Sequence, residues 1–193
     1  MDKAIKTPIE MLAHWANTRG DEIYLRQPIK GQYLDFTWNE VQEKVQQLAG
    51  ALRHLGLEPG DKIAVLSKNC AEWFITDLAL MHGGYISVPI YPTANPDTIR
   101  YVLQHSGAKA IVLGKLDHWA DQEAGVGGEL LRLAMPYDTM PAQYQWEQLL
   151  NMGNPLIEAP LPEPDQIMTL IYTSGSTGQP KGAIQTYASY GWT

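Results

Sequence analysis

From Thr37 onward, Val41, Val45, Leu48, Ala49, Leu52 and Leu55 recur at three- and four-residue steps and fall on one helical face. Thr37 can cap this helix while Glu40, three residues on, reaches back to it, and Gly56 is placed to end it. An apolar stripe of this kind is core, not a binding surface. Upstream, residues 9–18 suit a short helix. Residues 22–27 and 32–37 pair as a small N-terminal β-hairpin around Lys30-Gly31.

After the turn Glu58-Pro59-Gly60-Asp61 the period shortens. Residues 63–66 read as a buried strand, 71–81 as a helix and 85–90 as a second strand. Asn95 caps a further helix with Pro96 at its first position, which runs to about Ser106 and stops at Gly107. Residues 110–113 give a third strand. Strand and helix alternate, and the strands are almost continuously apolar, so the pattern predicts an α/β fold. Right-handed crossovers make it a doubly wound, mostly parallel sheet with helices on both faces. Gly125-Val126-Gly127-Gly128 suits a surface loop. Alternating prolines in Ala159-Pro160-Leu161-Pro162-Glu163-Pro164 predict a stiff, extended connector. The chain thus divides into an α/β unit over residues 1–158, a connector over 159–166 and the start of a new segment over 167–193.

Composition changes this picture little. The 193 residues are 45% apolar and 18% charged, ordinary for a folded chain, and the net charge of −7 gives no electrostatic reason to expect nucleic acid as a partner. Cys70 is the single cysteine, so no intrachain disulfide forms, and a buried filler role suits it. No secretory signal is visible at the start, and the most apolar stretch, 78–90, is short and broken by His82, Gly83, Gly84 and Pro89. These features predict a cytoplasmic protein without a transmembrane segment, and leave a peripheral membrane contact open.

Chemistry concentrates near the carboxyl-terminal end. The strand-like run 166–172 empties into Thr173-Ser174-Gly175-Ser176-Thr177-Gly178-Gln179-Pro180-Lys181-Gly182. Four hydroxyl residues, three glycines and a lysine within ten positions are not a generic turn. Glycines let backbone N–H groups converge on an anion, hydroxyls add donors and can help hold magnesium, and Lys181 supplies a mobile positive charge. The segment reads as a phosphate cradle. Its spacing is neither G-x-x-x-x-G-K-[ST] nor G-x-G-x-x-G, because Pro180 follows Gly175 by five and Gly182 follows Lys181.

The run 172–182 resembles the AMP-binding signature of the adenylate-forming superfamily, which includes acyl-CoA synthetases, luciferases and peptide-synthetase adenylation domains. Thr37-Trp38, the run 55–61, Ser67-Lys68-Asn69 and Glu72-Trp73 resemble that family's N-terminal region in its order. Val88-Pro89-Ile90-Tyr91-Pro92-Thr93 looks most like the long-chain fatty acyl-CoA branch. The resemblance covers roughly residues 9–187. It implies a two-step reaction in which a fatty or other carboxylic acid attacks the α-phosphate of ATP·Mg2+, and coenzyme A then displaces AMP from the acyl-adenylate. It assigns phosphate binding to Thr173, Ser174, Gly175, Ser176, Thr177, Gly178 and Lys181. Lys181 and Thr177 are the catalytic pair by positioning, and Thr177 the residue nearest magnesium. Tyr187 stands where many relatives have His, and Gln185 where an apolar residue or His is usual; both bear on substrate preference. Members of the family are several hundred residues long, so this chain is expected to be the front of such an enzyme and inactive alone. Two alternatives remain: a truncated, non-catalytic nucleotide-binding or interaction module, and an adenylating ligase for a non-fatty carboxylate.

Other polar residues read as structural. His14, His54, His82, His105 and His118 lack paired metal-ligand spacing. Asp117, Asp121 and Glu123 suit a wet helix face. Trp73 suits a core role. Tyr187, Tyr190 and Trp192 share a helical face and suit core packing as well as an acyl pocket.

Overall fold

The computed structural model describes residues 7–137, 141–173 and 180–190. Helix α1 (Pro8–Arg19) leads into a two-stranded antiparallel hairpin, β1 (Ile23–Ile29) and β2 (Gln32–Thr37), followed by the long helix α2 (Trp38–His54). The capping box at the start of α2 forms as its spacing predicts: the Glu40 amide donates to Thr37 Oγ1 at 3.2 Å, and the Thr37 amide to Glu40 Oε2 at 2.7 Å. Thr7 and Glu10 make the same box at α1.

A seven-stranded sheet follows. Strands β3 (Lys62–Leu66), β4 (Ile86–Ile90) and β5 (Ala110–Leu113) are joined by α3 (Ala71–Gly83) and α4 (Pro96–Ser106). Next come α5 (Trp119–Gln122), β6 (Leu131–Ala134), β7 (Tyr144–Gln145) and α6 (Trp146–Leu150). Strands β8 (Ile167–Thr173) and β9 (Lys181–Thr186) and helix α7 (Tyr187–Tyr190) complete the order. Across the sheet the strands run β7-β6-β5-β3-β4-β8-β9, all parallel to their neighbours except β9, which pairs antiparallel with β8. The chain leaves β3 for β4 and then returns past β3 to β5, as a doubly wound sheet requires.

Apolar strands still alternate by face. Ile63 and Val65 on β3, with Ala110 and Val112 on β5, pack on the side of α2 and α3. Ala64, Leu66, Ile111 and Leu113 pack on the side of α4 with Ile99 and Val102. Both faces are therefore covered, which is why residues 63–66 of β3 and 110–113 of β5 are all apolar. Gly107, with φ of 67°, closes α4 in a left-handed conformation that a glycine adopts without strain.

Three features depart from the sequence expectation. Strands β6 and β7 extend the sheet beyond β5, where no strand was expected. Gly125 and Val126 are buried, not part of an exposed loop: Gly125 packs on the backbone of Pro96 and on Ile99. Asp117, Asp121 and Glu123 do not share a helix face, because α5 is only four residues long; Asp117 pairs with Lys68 and Glu123 with Arg132. The proline-rich connector has no regular structure, as expected, and its entry is fastened to the helical layer. The Leu156 amide donates to the Gln46 carbonyl at 2.9 Å, and Nε2 of the buried His82 lies 2.7 Å from the Leu156 carbonyl.

Candidate functional site

Ligands of open α/β sheets bind beyond the carboxyl ends of the strands, often where strand order reverses. Here the reversal point, between β3 and β5, is filled. Gly114 sits against Ser67 Oγ and Met135 Sδ so closely that a Cβ at this position would overlap both. Space opens instead beyond β4 and β8. A cleft of about 560 Å³ lies between Ile90 and Thr93 after β4, Thr98 on α4, and Tyr172 and Thr173 at the end of β8, with Pro180 on its far wall. A smaller hollow of about 180 Å³ adjoins it around Trp73, Asn69 and Ile171, sharing Tyr91 and Tyr172 with the larger cleft. Trp73 is thus packed against the core and also borders this edge of the sheet.

The phosphate-cradle sequence occupies the tip of the β8–β9 hairpin. Tyr172 pairs with Gly182, and Thr173 with Lys181, so the first and last predicted ligand residues face each other across the hairpin base. Both are exposed. Ser174, Gly175, Ser176, Thr177 and Gly178 lie outside the described residues. Lys181 makes no ion pair among the described residues. Among those residues, no three His, Cys, Asp or Glu side chains gather to hold a metal ion. No helix among them is long and apolar enough to cross a membrane.

Two side chains that sequence reasoning passed over fix the hairpin base. Tyr172 is buried, and its hydroxyl lies 2.8 Å from Nδ1 of His105 at the end of α4. Burial, and secondarily Tyr101, holds the Tyr172 phenol above its ordinary pKa, so it stays protonated. His105 is flanked by both rings: Tyr101 stacks on it at 5.3 Å and Tyr172 meets it edge-on at 5.7 Å. The spacing of Tyr101 and His105, four apart on one helix, is a sequence signal for their stacking, but not for the bond to Tyr172. Tyr187 is buried against Met81 and Met168, so it serves the core; Tyr190 borders an aromatic hollow with Trp15 and Trp38. Trp192 lies outside the described residues.

A sequence model of AMP-binding enzymes matches residues 12–193, nearly the whole chain. The chain belongs to the AMP-binding enzyme family. It is 29% identical over 204 residues to the long-chain-fatty-acid–CoA ligase ACSBG2 of Gallus gallus, covering 99% of this chain and 27% of that protein. It is 32% identical over 173 residues to the peroxisomal long chain acyl-CoA synthetase 6 of Arabidopsis thaliana, covering 82% of this chain and 24% of the relative. The chain therefore spans about a quarter of the length of these curated relatives. The fold matches that of acetoacetyl-CoA synthetase from Streptomyces lividans with a TM-score of 0.83 at 23% identity, over 94% of this chain and 30% of that one. It also matches the anthranilate CoA ligase AuaEII, solved with anthranoyl-AMP, with a TM-score of 0.82 at 20% identity, over 95% and 35% of the two chains. The α/β architecture of an AMP-binding enzyme's N-terminal region is thus present.

Proposed function

We propose that this chain is the amino-terminal portion of an ATP-dependent fatty acid–CoA ligase. In that reading a fatty carboxylate oxygen attacks the α-phosphate of ATP and pyrophosphate leaves. The thiol of coenzyme A then attacks the acyl carbon of the acyl-adenylate and AMP leaves. Residues 1–158 form the scaffold, 159–166 the connector, and 167–193 open the segment that carries the phosphate-binding loop.

The observation that carries the reading is the hairpin base beside the 560 Å³ cleft, where Thr173 and Lys181 stand opposite each other at the carboxyl edge of the sheet. Lys181 is exposed and unpaired with any described acid, so its ammonium is available for the β- and γ-phosphates. Thr173, and Ser174, Ser176 and Thr177 beyond it, would supply hydroxyl donors. Gly175 and Gly178 would leave backbone N–H groups free to turn toward the anion. No side-chain nucleophile is needed, because the loop acts by holding the departing pyrophosphate where its charge develops. The described residues offer no carboxylate cluster for a resident metal. Magnesium bound with the triphosphate would screen its charge, with Thr177 as the loop residue nearest to it.

The test is fatty-acid-dependent exchange of pyrophosphate into ATP by the complete ligase that carries this segment. Lys181→Ala is expected to lower exchange by about tenfold or more without altering the unfolding midpoint. Unchanged exchange removes Lys181 from the mechanism. Exchange with aromatic acids but not palmitate replaces the fatty substrate with an aryl one. Nucleotide binding with no acid-dependent exchange leaves a binding module.

A further inference from the structure

Gly182 follows the lysine of the loop and faces Tyr172 across the hairpin. A Cβ at position 182 would come within 3.1 Å of the Tyr172 ring carbon Cζ and 3.4 Å of its hydroxyl. The missing side chain is what lets the phenol ring lie against β9 and still reach α4. At the far end of that ring the hydroxyl meets His105 Nδ1 at 2.8 Å, and His105 is backed by Tyr101. A continuous contact therefore runs from the last turn of α4, through His105 and Tyr172, to the backbone of β9 beside Lys181. Thr173 follows Tyr172 directly, and both line the cleft with Thr98 of α4.

We propose that His105 is a positioning residue for the phosphate loop: by holding the Tyr172 hydroxyl it fixes the Tyr172–Gly182 step, and with it the approach of Thr173 and Lys181 to the nucleotide. This rests on the ligase reading above. His105 itself touches no substrate. The link is the 2.8 Å contact between the Tyr172 hydroxyl and Nδ1, in which either group can donate according to the imidazole tautomer. A side chain that keeps a hydrogen-bonding group at this place therefore keeps the link; Tyr172→Phe breaks it with the rings in place, and His105→Leu breaks it and removes the imidazole as well.

The experiment compares the complete ligase that carries this segment with its Tyr172→Phe, His105→Leu and His105→Gln variants, the last with an amide that can bond the phenol. Amide hydrogen exchange in β8 and β9 reads the geometry, and calorimetric titration with Mg·ATP reads its consequence. Tyr172→Phe and His105→Leu are expected to speed exchange at the hairpin base roughly three- to tenfold, the range set by one hydrogen bond, with β3 and β5 unchanged. Nucleotide affinity falls by a similar factor, and His105→Gln restores both. Unchanged exchange in Tyr172→Phe and His105→Leu overturns the proposal. So does faster exchange that His105→Gln fails to restore, since this reports only lost packing. Faster, rescued exchange in a complete protein that binds no nucleotide in any form leaves the positioning link standing and rejects the ligase reading instead. Faster exchange with full affinity shows that the link does not serve the loop.

Discussion

Thr169 of β8 donates its hydroxyl to the backbone carbonyl of Ser87 on β4 at 3.0 Å, and Ser87–Thr169 is also the one registered residue pair between these strands among the described residues. Neighbouring strands elsewhere in the parallel sheet are joined more fully, with five pairs from β3 to β4 and four from β3 to β5. The hairpin that carries the phosphate loop therefore docks on β4 with a side-chain bond at the registered pair. Thr169→Val keeps the shape and removes the donor, leaving the Ser87 carbonyl without this partner. The expected loss is roughly 1–3 kcal/mol of stability. Ser87→Ala, by contrast, leaves the backbone carbonyl and its Thr169 partner in place and is expected to cost less. Urea denaturation of both variants checks this. A Thr169→Val chain within about 0.5 kcal/mol of wild type would show that the bond carries no part of the docking.

Gly50 in α2 meets the segment that leads into the connector. A Cβ there would overlap the carbonyl oxygen of Asn154, and the neighbouring Leu156 amide is already bonded to Gln46. Glycine normally weakens a helix interior by up to about 1 kcal/mol relative to alanine, so propensity alone predicts that Gly50→Ala stabilises. The contact is with backbone, which has little room to yield, so the sign reverses. A net loss of roughly 1–3 kcal/mol is expected, with the connector displaced. Thermal unfolding and limited proteolysis between residues 154 and 164 read both effects. A stabilised variant would mean that the connector does not seat on α2 in solution.

These contacts show where the sequence is informative and where it is silent. The α2 stripe, the Thr37–Glu40 box, the first three sheet strands and the Asn95-Pro96 start of α4 are local signals, each set by residues a few positions apart, and each appears in the fold. Strand β6 was invisible because Arg132 interrupts its apolar run. In the fold that guanidinium turns back to the Val126 carbonyl at 2.9 Å and to Glu123, so a charge sits in a strand without facing the core alone. Strand β7 has only two residues, too few to show a period. At the candidate site the chemical types could be read from the loop, but its support could not. His105 and Tyr172 are 67 positions apart, and nothing in the local spacing joins them. His82 looked like one scattered histidine among five, yet the fold buries it under Leu156.

That burial makes acid sensitivity testable. His82 Nε2–H donates to the Leu156 carbonyl while Nδ1 is buried without a partner. Burial holds the imidazole pKa below its ordinary value of 6.5; the bond to Leu156 opposes this and the charge of Arg53 adds to it. The folded state thus favours the neutral ring. The unfolded chain takes up the proton more readily, so the contribution is complete above the ordinary value and is lost as pH falls from there through the folded-state pKa. Denaturant midpoints measured from pH 7.5 down to 5 are expected to decline. His82→Gln, which can still donate to Leu156 but does not titrate, is expected to flatten that part of the decline. Identical pH profiles for the two chains would place His82 outside the linkage.

Asp77 acts in the opposite sense on the other side of α3. Burial pushes its carboxyl above the ordinary value of 3.8, and the nearby Ser87 hydroxyl pulls only weakly the other way, making no bond of ordinary geometry. The same carboxylate helps burial push the Tyr187 phenol up to about 12, which places the two groups close together. The Tyr187 hydroxyl is itself buried without a partner. A raised folded-state pKa means that the fold favours protonated Asp77. Its contribution is complete below the ordinary value and is lost as pH rises through the folded pKa, so toward neutral pH the buried carboxyl weakens the seam between α3, β4 and β8. Asp77→Asn keeps the shape, carries no charge and offers an amide donor to the Ser87 and Tyr187 hydroxyls. It is expected to raise the unfolding midpoint at pH 7.5, with the gain shrinking as pH approaches 4, where wild-type Asp77 also becomes neutral. An equal gain at both pH values would trace the effect to packing, and a loss at pH 7.5 would show that the seam uses the carboxylate charge.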